Sequence, residues 1–407
     1  MKILQAIYQY QTGGGSLQVV SDLATAARRA GHEVSVLARD VKVSEAIAAE
    51  RFFTGNKIVD GWRLWQRLRR ESFDIIHVHD RYCSLLLRLM PQAPASVQTN
   101  HIAYRTRRRL TRFADCVVGC SAAMDRHHAE FFKLPPERRA LIPNGVCFRS
   151  PDRSRAERLR QELPLLRSRQ ICLTVARLSE QKGHAYLLEA IAHLPLALRE
   201  SWCFVWAGDG ELRETLELQA RQQGVSQDIL FLGQTSEVPE WLSLADAFVL
   251  PSLYEGLPLA LMEAMSAGLP CLATDIDGNR ELLHQGENGC LCKAHDSKAL
   301  AEALEQLLTD ENLRSHLGKQ AQTDYWNHWT FERTWQQYEA LYQRLADVGC
   351  ENNQPPVPSP QSLAPSPLIS SSCNFIEHSP SLQQKYLDHC NAQLTQSHSV
   401  QRSLSQV

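Results

Sequence analysis

Short apolar runs alternate along the chain with stretches in which apolar positions recur every three to four residues. Lys2–Ile7 reads as a strand, Ser16–Ala30 as an amphipathic helix closed by Gly31, and Glu33–Ala38 as the next strand. Phe73–Val78, Ala95–Thr99 and Cys116–Cys120 repeat the strand pattern with helical segments between them. Strands separated by helix-length patterns predict βαβ units and a parallel sheet. The pattern restarts beyond the Arg-rich stretch Pro151–Arg169. There Ile171–Ala176 reads as a strand and Gly183–Ala192 as a helix, followed by strands at Cys203–Ala207, Ile229–Leu232, Ala247–Leu250 and Cys271–Thr274. The expectation is an α/β protein of two consecutive doubly wound, Rossmann-like domains, residues 1–150 and 151–349. The linker is placed between about Pro143 and Arg169, and Trp329–Ala346 reads as a last helix crossing back toward the first domain.

From about Cys350 the composition changes. Gln354–Pro367 carries six prolines among Ser and Gln. Such a segment buries too little apolar area to offset its ordering entropy, so residues 350–407 are expected to form a disordered tail.

At 407 residues the chain exceeds what one small core organises. No run of about 18 apolar residues reads as a membrane span. Met1–Ile7 lacks the charged start and cleavage site of a signal peptide, so a cytoplasmic protein is expected. Twelve cysteines without a Cys-x-x-Cys then read as reduced thiols, with no metal or redox role. Charge is uneven: residues 1–165 hold 27 Lys and Arg against 16 Asp and Glu, whereas the rest hold 16 against 29. The first half therefore faces something negative, whether nucleic acid, an anionic membrane surface or a phosphorylated substrate.

Candidate chemistry is concentrated in three loops. Glu255-Gly-Leu-Pro-Leu-Ala-Leu-Met-Glu263 follows the strand ending at Leu250, at a carboxyl end where ligands bind in such sheets. Gly256, Leu257 and Pro258 lead into a helix whose free amides at Leu259 and Ala260 suit a diphosphate. Glu255 and Glu263 lie on either side of those amides, up to roughly 12 Å apart, a layout that fits the hydroxyls of a nucleotide sugar. Taken alone, the segment reads equally well as a surface carboxylate before a core helix. Arg177-Leu-Ser-Glu-Gln-Lys182-Gly183 places two cations on a strand-to-helix loop, where they can converge on a departing diphosphate. Gln11-Thr-Gly13-Gly14-Gly15-Ser16 lets backbone approach a phosphate or sugar closely. With Gln18 at the third glycine position it is no dinucleotide fingerprint.

This ordered set resembles the GT-B glycosyltransferases, specifically retaining family 4, over about residues 1–347. The resemblance rests on Gly13-Gly14-Gly15, His77-Val-His79, His101, Ile142-Pro-Asn-Gly-Val146 and Arg177 to Lys182-Gly183. It continues through Gly208-Asp-Gly210, Pro251-Ser252, Glu255 to Glu263 and Ala264 to Pro270. It implies two domains facing each other across a cleft, the first presenting the acceptor and the second the donor. Glu263 would bond the ribose, and Glu255 the donor sugar. Arg177 and Lys182 would hold the diphosphate without a metal, and Gly14, Gly15, Gly208, Gly256, Leu257, Leu259 and Ala260 would line the donor. His101 would orient the reacting groups. His77 and His79 are assigned to alternating faces of a strand end, so that only one reaches the cleft. Cys147 departs from an Asp often found there. Asn279 and Arg280 are taken to replace the second glycine and its neighbour in a Gly-Gly-x-x-Glu segment ending at Glu281.

The implied activity is sugar transfer from a nucleotide-diphosphate sugar, with no cofactor and no metal. The acceptor would be an envelope, lipid-linked or small molecule. An epimerase of the same fold and a non-catalytic nucleotide-sugar module are the alternatives. A phosphorylase lacks its pyridoxal-phosphate lysine site here, and a dehydrogenase lacks its third glycine. Trp62, Trp65 and the arginines around them, with Arg105, Arg107, Arg108 and Arg109 after His101, suit an anionic membrane surface or a phosphorylated acceptor. Nucleic acid is disfavoured, since no binding motif accompanies the charge.

Overall fold

Why the strands lie where they do follows from burial on both faces, which parallel sheets covered by helices require. The computed structural model describes residues 1–8, 15–39, 49–88, 90, 93–101 and 113–351. Among these, a seven-stranded parallel sheet has the order β3-β2-β1-β4-β5-β6-β7. Its strands are β1 (Lys2–Ile7), β2 (Glu33–Ala38), β3 (Ala49–Arg51), β4 (Ile75–Val78), β5 (Ala95–Asn100), β6 (Cys116–Gly119) and β7 (Arg139–Leu141). The second, six-stranded sheet runs β10-β9-β8-β11-β12-β13. It comprises β8 (Gln170–Val175), β9 (Trp202–Ala207), β10 (Ile229–Gly233), β11 (Ala247–Leu250), β12 (Cys271–Thr274) and β13 (Cys290–Cys292). Each sheet is doubly wound, and its strand order reverses once: between β1 and β4 in the first, between β8 and β11 in the second.

The chain passes from one sheet to the other twice, and the two crossings are bonded together. Val146 donates to the Trp329 carbonyl at 3.1 Å, and Phe331 donates to the Val146 carbonyl at 3.0 Å. The Tyr325 hydroxyl donates to the same Val146 carbonyl at 2.8 Å. After the second crossing, the helix Phe331–Glu351 lays Phe331, Trp335, Tyr338, Leu341 and Tyr342 into the core of the first sheet, against Ile3, Val19, Leu23, Ile75 and Val97.

The Arg-rich stretch taken as linker is structured. Asp152 caps a helix, Arg153–Glu162, whose Leu159 joins Leu166 in the core of the second sheet. Only Ala156 and Leu159 of that helix are buried, so a single narrow apolar stripe among arginines hid it from the pattern. The expected tail, 350–407, lies almost wholly outside the described residues.

Candidate active site

The reversal between β8 and β11 brings out two loops at the carboxyl end of the second sheet, and both carry predicted residues. After β8 the backbone runs past Arg177 into a single 3-10 turn, Glu180–Lys182. Gly183 then adopts φ 68°, and a Cβ on it would come within 2.0 Å of the Pro251 carbonyl oxygen. The loop after β8 is thus pressed onto the loop after β11 at a position where only glycine fits. This contact places Lys182 Nζ 2.5 Å from Glu255 Oε1. The Ser252 hydroxyl donates to the same oxygen at 2.7 Å, and the Glu255 side chain is only 8% exposed.

Arg177, five residues earlier, turns outward to Glu211 at 3.1 Å in a pair that is half exposed on both sides. The helix Leu259–Ser266 follows Pro258, beginning at the predicted amides, with Leu257 buried and Glu263 half-buried. Gly208 lets the loop after β9 sit on the backbone before Arg177, since a Cβ there would strike the Ala176 carbonyl at 2.0 Å. Asp275 and Asp277, spelled like a metal-binding pair, are both engaged by Arg280, at 2.5 and 3.5 Å. Among the described residues no three His, Cys, Asp or Glu side chains cluster as metal ligands.

In the first sheet, Gly15 opens the helix Gly15–Arg29 beside the reversal, while Gly14 lies outside the described residues. His101 follows β5. His77 and His79 share one face of the sheet, with ring centroids 4.0 Å apart. The expected alternation was misassigned, because residues two apart on a strand point the same way. His77 is held by the Tyr342 hydroxyl at 2.7 Å and the Thr99 hydroxyl at 2.8 Å, and Thr99 in turn by Tyr338. His79 Nδ1 lies 3.3 Å from His101 Nε2. Burial pushes His101 down to about 4 and His77 to about 3, so all three rings are neutral near pH 7.

The two sheets meet through these loops. Gly256 abuts the His101 backbone so closely that a Cβ would lie 2.6 Å from its carbonyl oxygen. Gly15 packs on Leu259. Glu281 reaches across to the helix Ala122–Glu130, its two oxygens accepting from the Ala122 and Ala123 amides at 2.7 Å each. The sequence carried no sign of this bridging carboxylate. Counted back from Glu281, the glycine pair falls on 277 and 278, so Asp277 stands at the first glycine and Gly278 retains the second. Gly278 is needed: a Cβ there would press on the Gly256 and Glu255 carbonyls at 2.9 and 3.0 Å.

Away from these loops, Trp62 and Trp65 stand on the outer face of the helix Lys57–Arg70, 58% and 38% exposed. Arg105, Arg107, Arg108 and Arg109 lie outside the described residues.

Two doubly wound sheets meeting through charged loops at their strand ends make up the GT-B architecture. The family described as "Glycosyltransferase Family 4" matches residues 13–148, and that described as "Glycosyl transferases group 1" matches residues 155–324. The Escherichia coli UDP-Gal:alpha-D-GlcNAc-diphosphoundecaprenol alpha-1,3-galactosyltransferase is 30% identical over 274 residues, covering 61% of this chain and 70% of its own. The Bacillus anthracis N-acetyl-alpha-D-glucosaminyl L-malate synthase is 25% identical over 372 residues, 84% of this chain and 97% of its own. Anabaena HepE, solved in complex with UDP-glucose, superposes with a TM-score of 0.74 at 21% identity, covering 84% of this chain and 100% of that one. The chain belongs to the group 1 glycosyltransferases.

Proposed function

We propose that this protein transfers a sugar from a nucleotide-diphosphate sugar with retention of the anomeric configuration and without a metal ion. Residues 151–349 hold the donor and residues 1–150 present the acceptor. The observation that carries this reading is the Lys182–Glu255 pair at the switch point, with Gly256 seated against the backbone of His101. A lysine ammonium has three donors. Lys182 can therefore keep its bond to Glu255 while turning the others to a diphosphate, and Arg177, on the same loop, adds a planar fork once it swings away from its exposed partner Glu211.

In the transfer, the bond from the anomeric carbon to the diphosphate oxygen breaks and the acceptor hydroxyl oxygen bonds to the same face. The hydroxyl proton leaves with the diphosphate. Fixed cations stabilise the charge that develops on the leaving group. Glu255, Glu263 and His101 hold the donor sugar, the ribose and the reacting groups respectively.

The E. coli relative is named for a UDP-sugar donor and a diphosphoundecaprenol-linked acceptor, which makes uridine nucleotide sugars and lipid-linked acceptors the first to test. A working place on the anionic cytoplasmic face of a membrane fits the helix Lys57–Arg70. Ile58, Val59, Trp62 and Trp65 line its exposed side, Ile58 at 84%, and the Arg69 guanidinium lies 4.8 Å from the Trp65 ring centroid. Apolar and basic residues together favour an anionic interface. Among the described residues no helix is long and apolar enough to cross a membrane.

A thermal-shift panel of nucleotide sugars, followed by NMR of the product, tests the reaction. Stabilisation by one donor class, a retained anomeric configuration and turnover that survives EDTA are expected. Inversion, or activity restored only by Mg²⁺ or Mn²⁺, rejects it. Sedimentation with vesicles tests the surface: binding rises with anionic lipid and falls with salt, and a protein left in the supernatant at low salt rejects it.

A further inference from the structure

His79 is buried to 3% exposure, and among the described residues its Nε2 has no hydrogen-bond partner. Among the described residues its side chain's polar partner is His101, Nδ1 to Nε2 at 3.3 Å, with the two rings nearly parallel at 14°. The adjacent Gln5, paired with His77 in the register of β1 and β4, is also buried with an unpartnered amide. An apolar side chain at position 79 would fill the same core without leaving a buried nitrogen unsatisfied, a cost that persists in the native state. His79 is thus poorly explained as packing.

Its neighbours fix where it sits. The His77 ring lies 4.0 Å away, centroid to centroid. That ring is locked by Tyr342 and Thr99, and Tyr338 locks Thr99. The last helix therefore clamps His77, His77 backs His79, and His79 meets the residue proposed to orient the reacting groups.

We propose that His79 is a positioning residue for sugar transfer: its Nδ1 bond holds the His101 ring plane and selects the His101 tautomer. Both rings are neutral, and one proton lies between the two nitrogens. If His101 Nε2 carries it, His101 Nδ1 is a bare acceptor; if His79 Nδ1 carries it, His101 Nδ1–H is a donor. Either way the shared bond sets what the other edge of His101 offers a substrate. The inference rests on the proposed role of His101.

The test uses the full-length protein and the donor found by thermal shift. His79→Leu removes the nitrogen and keeps the bulk, whereas His79→Asn returns a polar atom near the position of Nδ1. His79→Leu should lower kcat on the order of tenfold or more, with the donor-induced thermal shift unchanged, and His79→Asn should recover most of it. Imidazole ¹⁵N spectra should show the His101 tautomer mixture altered in His79→Leu and closer to wild type in His79→Asn. His79→Leu combined with His101→Asn should be no slower than His101→Asn alone. Wild-type kcat in His79→Leu, or unaltered His101 ¹⁵N shifts, overturns the positioning role. Wild-type kcat in His101→Asn instead overturns the reading of His101 itself.

Discussion

Lys182 and Glu255 close an ion pair between the two loops that flank the strand reversal of the second sheet, 2.5 Å from Nζ to Oε1. Arg177, on the same loop as Lys182, has an exposed acidic partner instead. The two cations should therefore respond differently to removal. Among the described residues, Lys182→Ala leaves a nearly buried carboxylate with the Ser252 hydroxyl as its side-chain partner, and a loss of about 1–2 kcal/mol in unfolding free energy is expected, below the range for fully buried pairs. Arg177→Ala should leave stability unchanged, since its pair is solvent-screened. Each should slow turnover on the order of 100-fold. Denaturant titration and steady-state rates on the two single variants separate the effects. Near-wild-type turnover in both would remove the diphosphate assignment.

Glu281→Ala deletes two charge-assisted bonds to the Ala122 and Ala123 amides, which tie the second sheet's loop to a helix of the first. The helical turn Asp277–Arg280, just before Glu281, rests through Gly278 on the carbonyls of Glu255 and Gly256, so the donor loop and the Glu281 bridge are expected to move as one. A more open solution shape is expected, read as a larger radius of gyration by small-angle scattering. A smaller change on donor addition than in the wild type should accompany it. An unchanged scattering curve would show that the Glu281 bonds do not set the relative position of the two sheets.

Glu263→Ala should raise the donor KM with little change in kcat, because contacts to a ribose are alike in ground and transition states. A pure kcat defect would contradict the ribose role.

Acid should destabilise the fold before the carboxylates titrate. Burial lowers His77 and His184 to about 3 and His101 and His128 to about 4, from an ordinary 6.5. The unfolded chain therefore binds more protons as pH falls below 6.5, and stability declines through that window until the folded-state values are reached. Asp80, raised by burial, acts in the opposite direction. Denaturant midpoints between about pH 7 and pH 4.5 should fall steadily. A flat profile would mean that these rings are protonated in the native state.

The inner strands of both sheets were legible because each is an apolar run long enough to contrast with its flanks. The three strands that escaped, Ala49–Arg51, Arg139–Leu141 and Cys290–Cys292, are three-residue edge strands, too short to show any period. The loop residues Glu255 and Lys182 were legible from type and spacing, but their mutual pairing was not. It depends on Gly183 meeting the Pro251 carbonyl, a long-range contact that no local pattern carries. Glu281 was obscured in the same way. Its partners are backbone amides more than 150 residues away, and an amide has no signature in the sequence.

The helix Phe331–Glu351 completes the first core from the far end of the chain, with a consequence for synthesis. Residues emerge from the ribosome at about 5–20 per second. The first sheet is therefore finished roughly 10–40 s before Trp335, Tyr338 and Tyr342 exist to cover it. For that interval the face around Ile3, Val97 and His77 is open to water, or to a chaperone. A nonsense codon just before Phe331 would leave both sheets encoded and that face permanently uncovered, so the product should be retained by chaperones or aggregate.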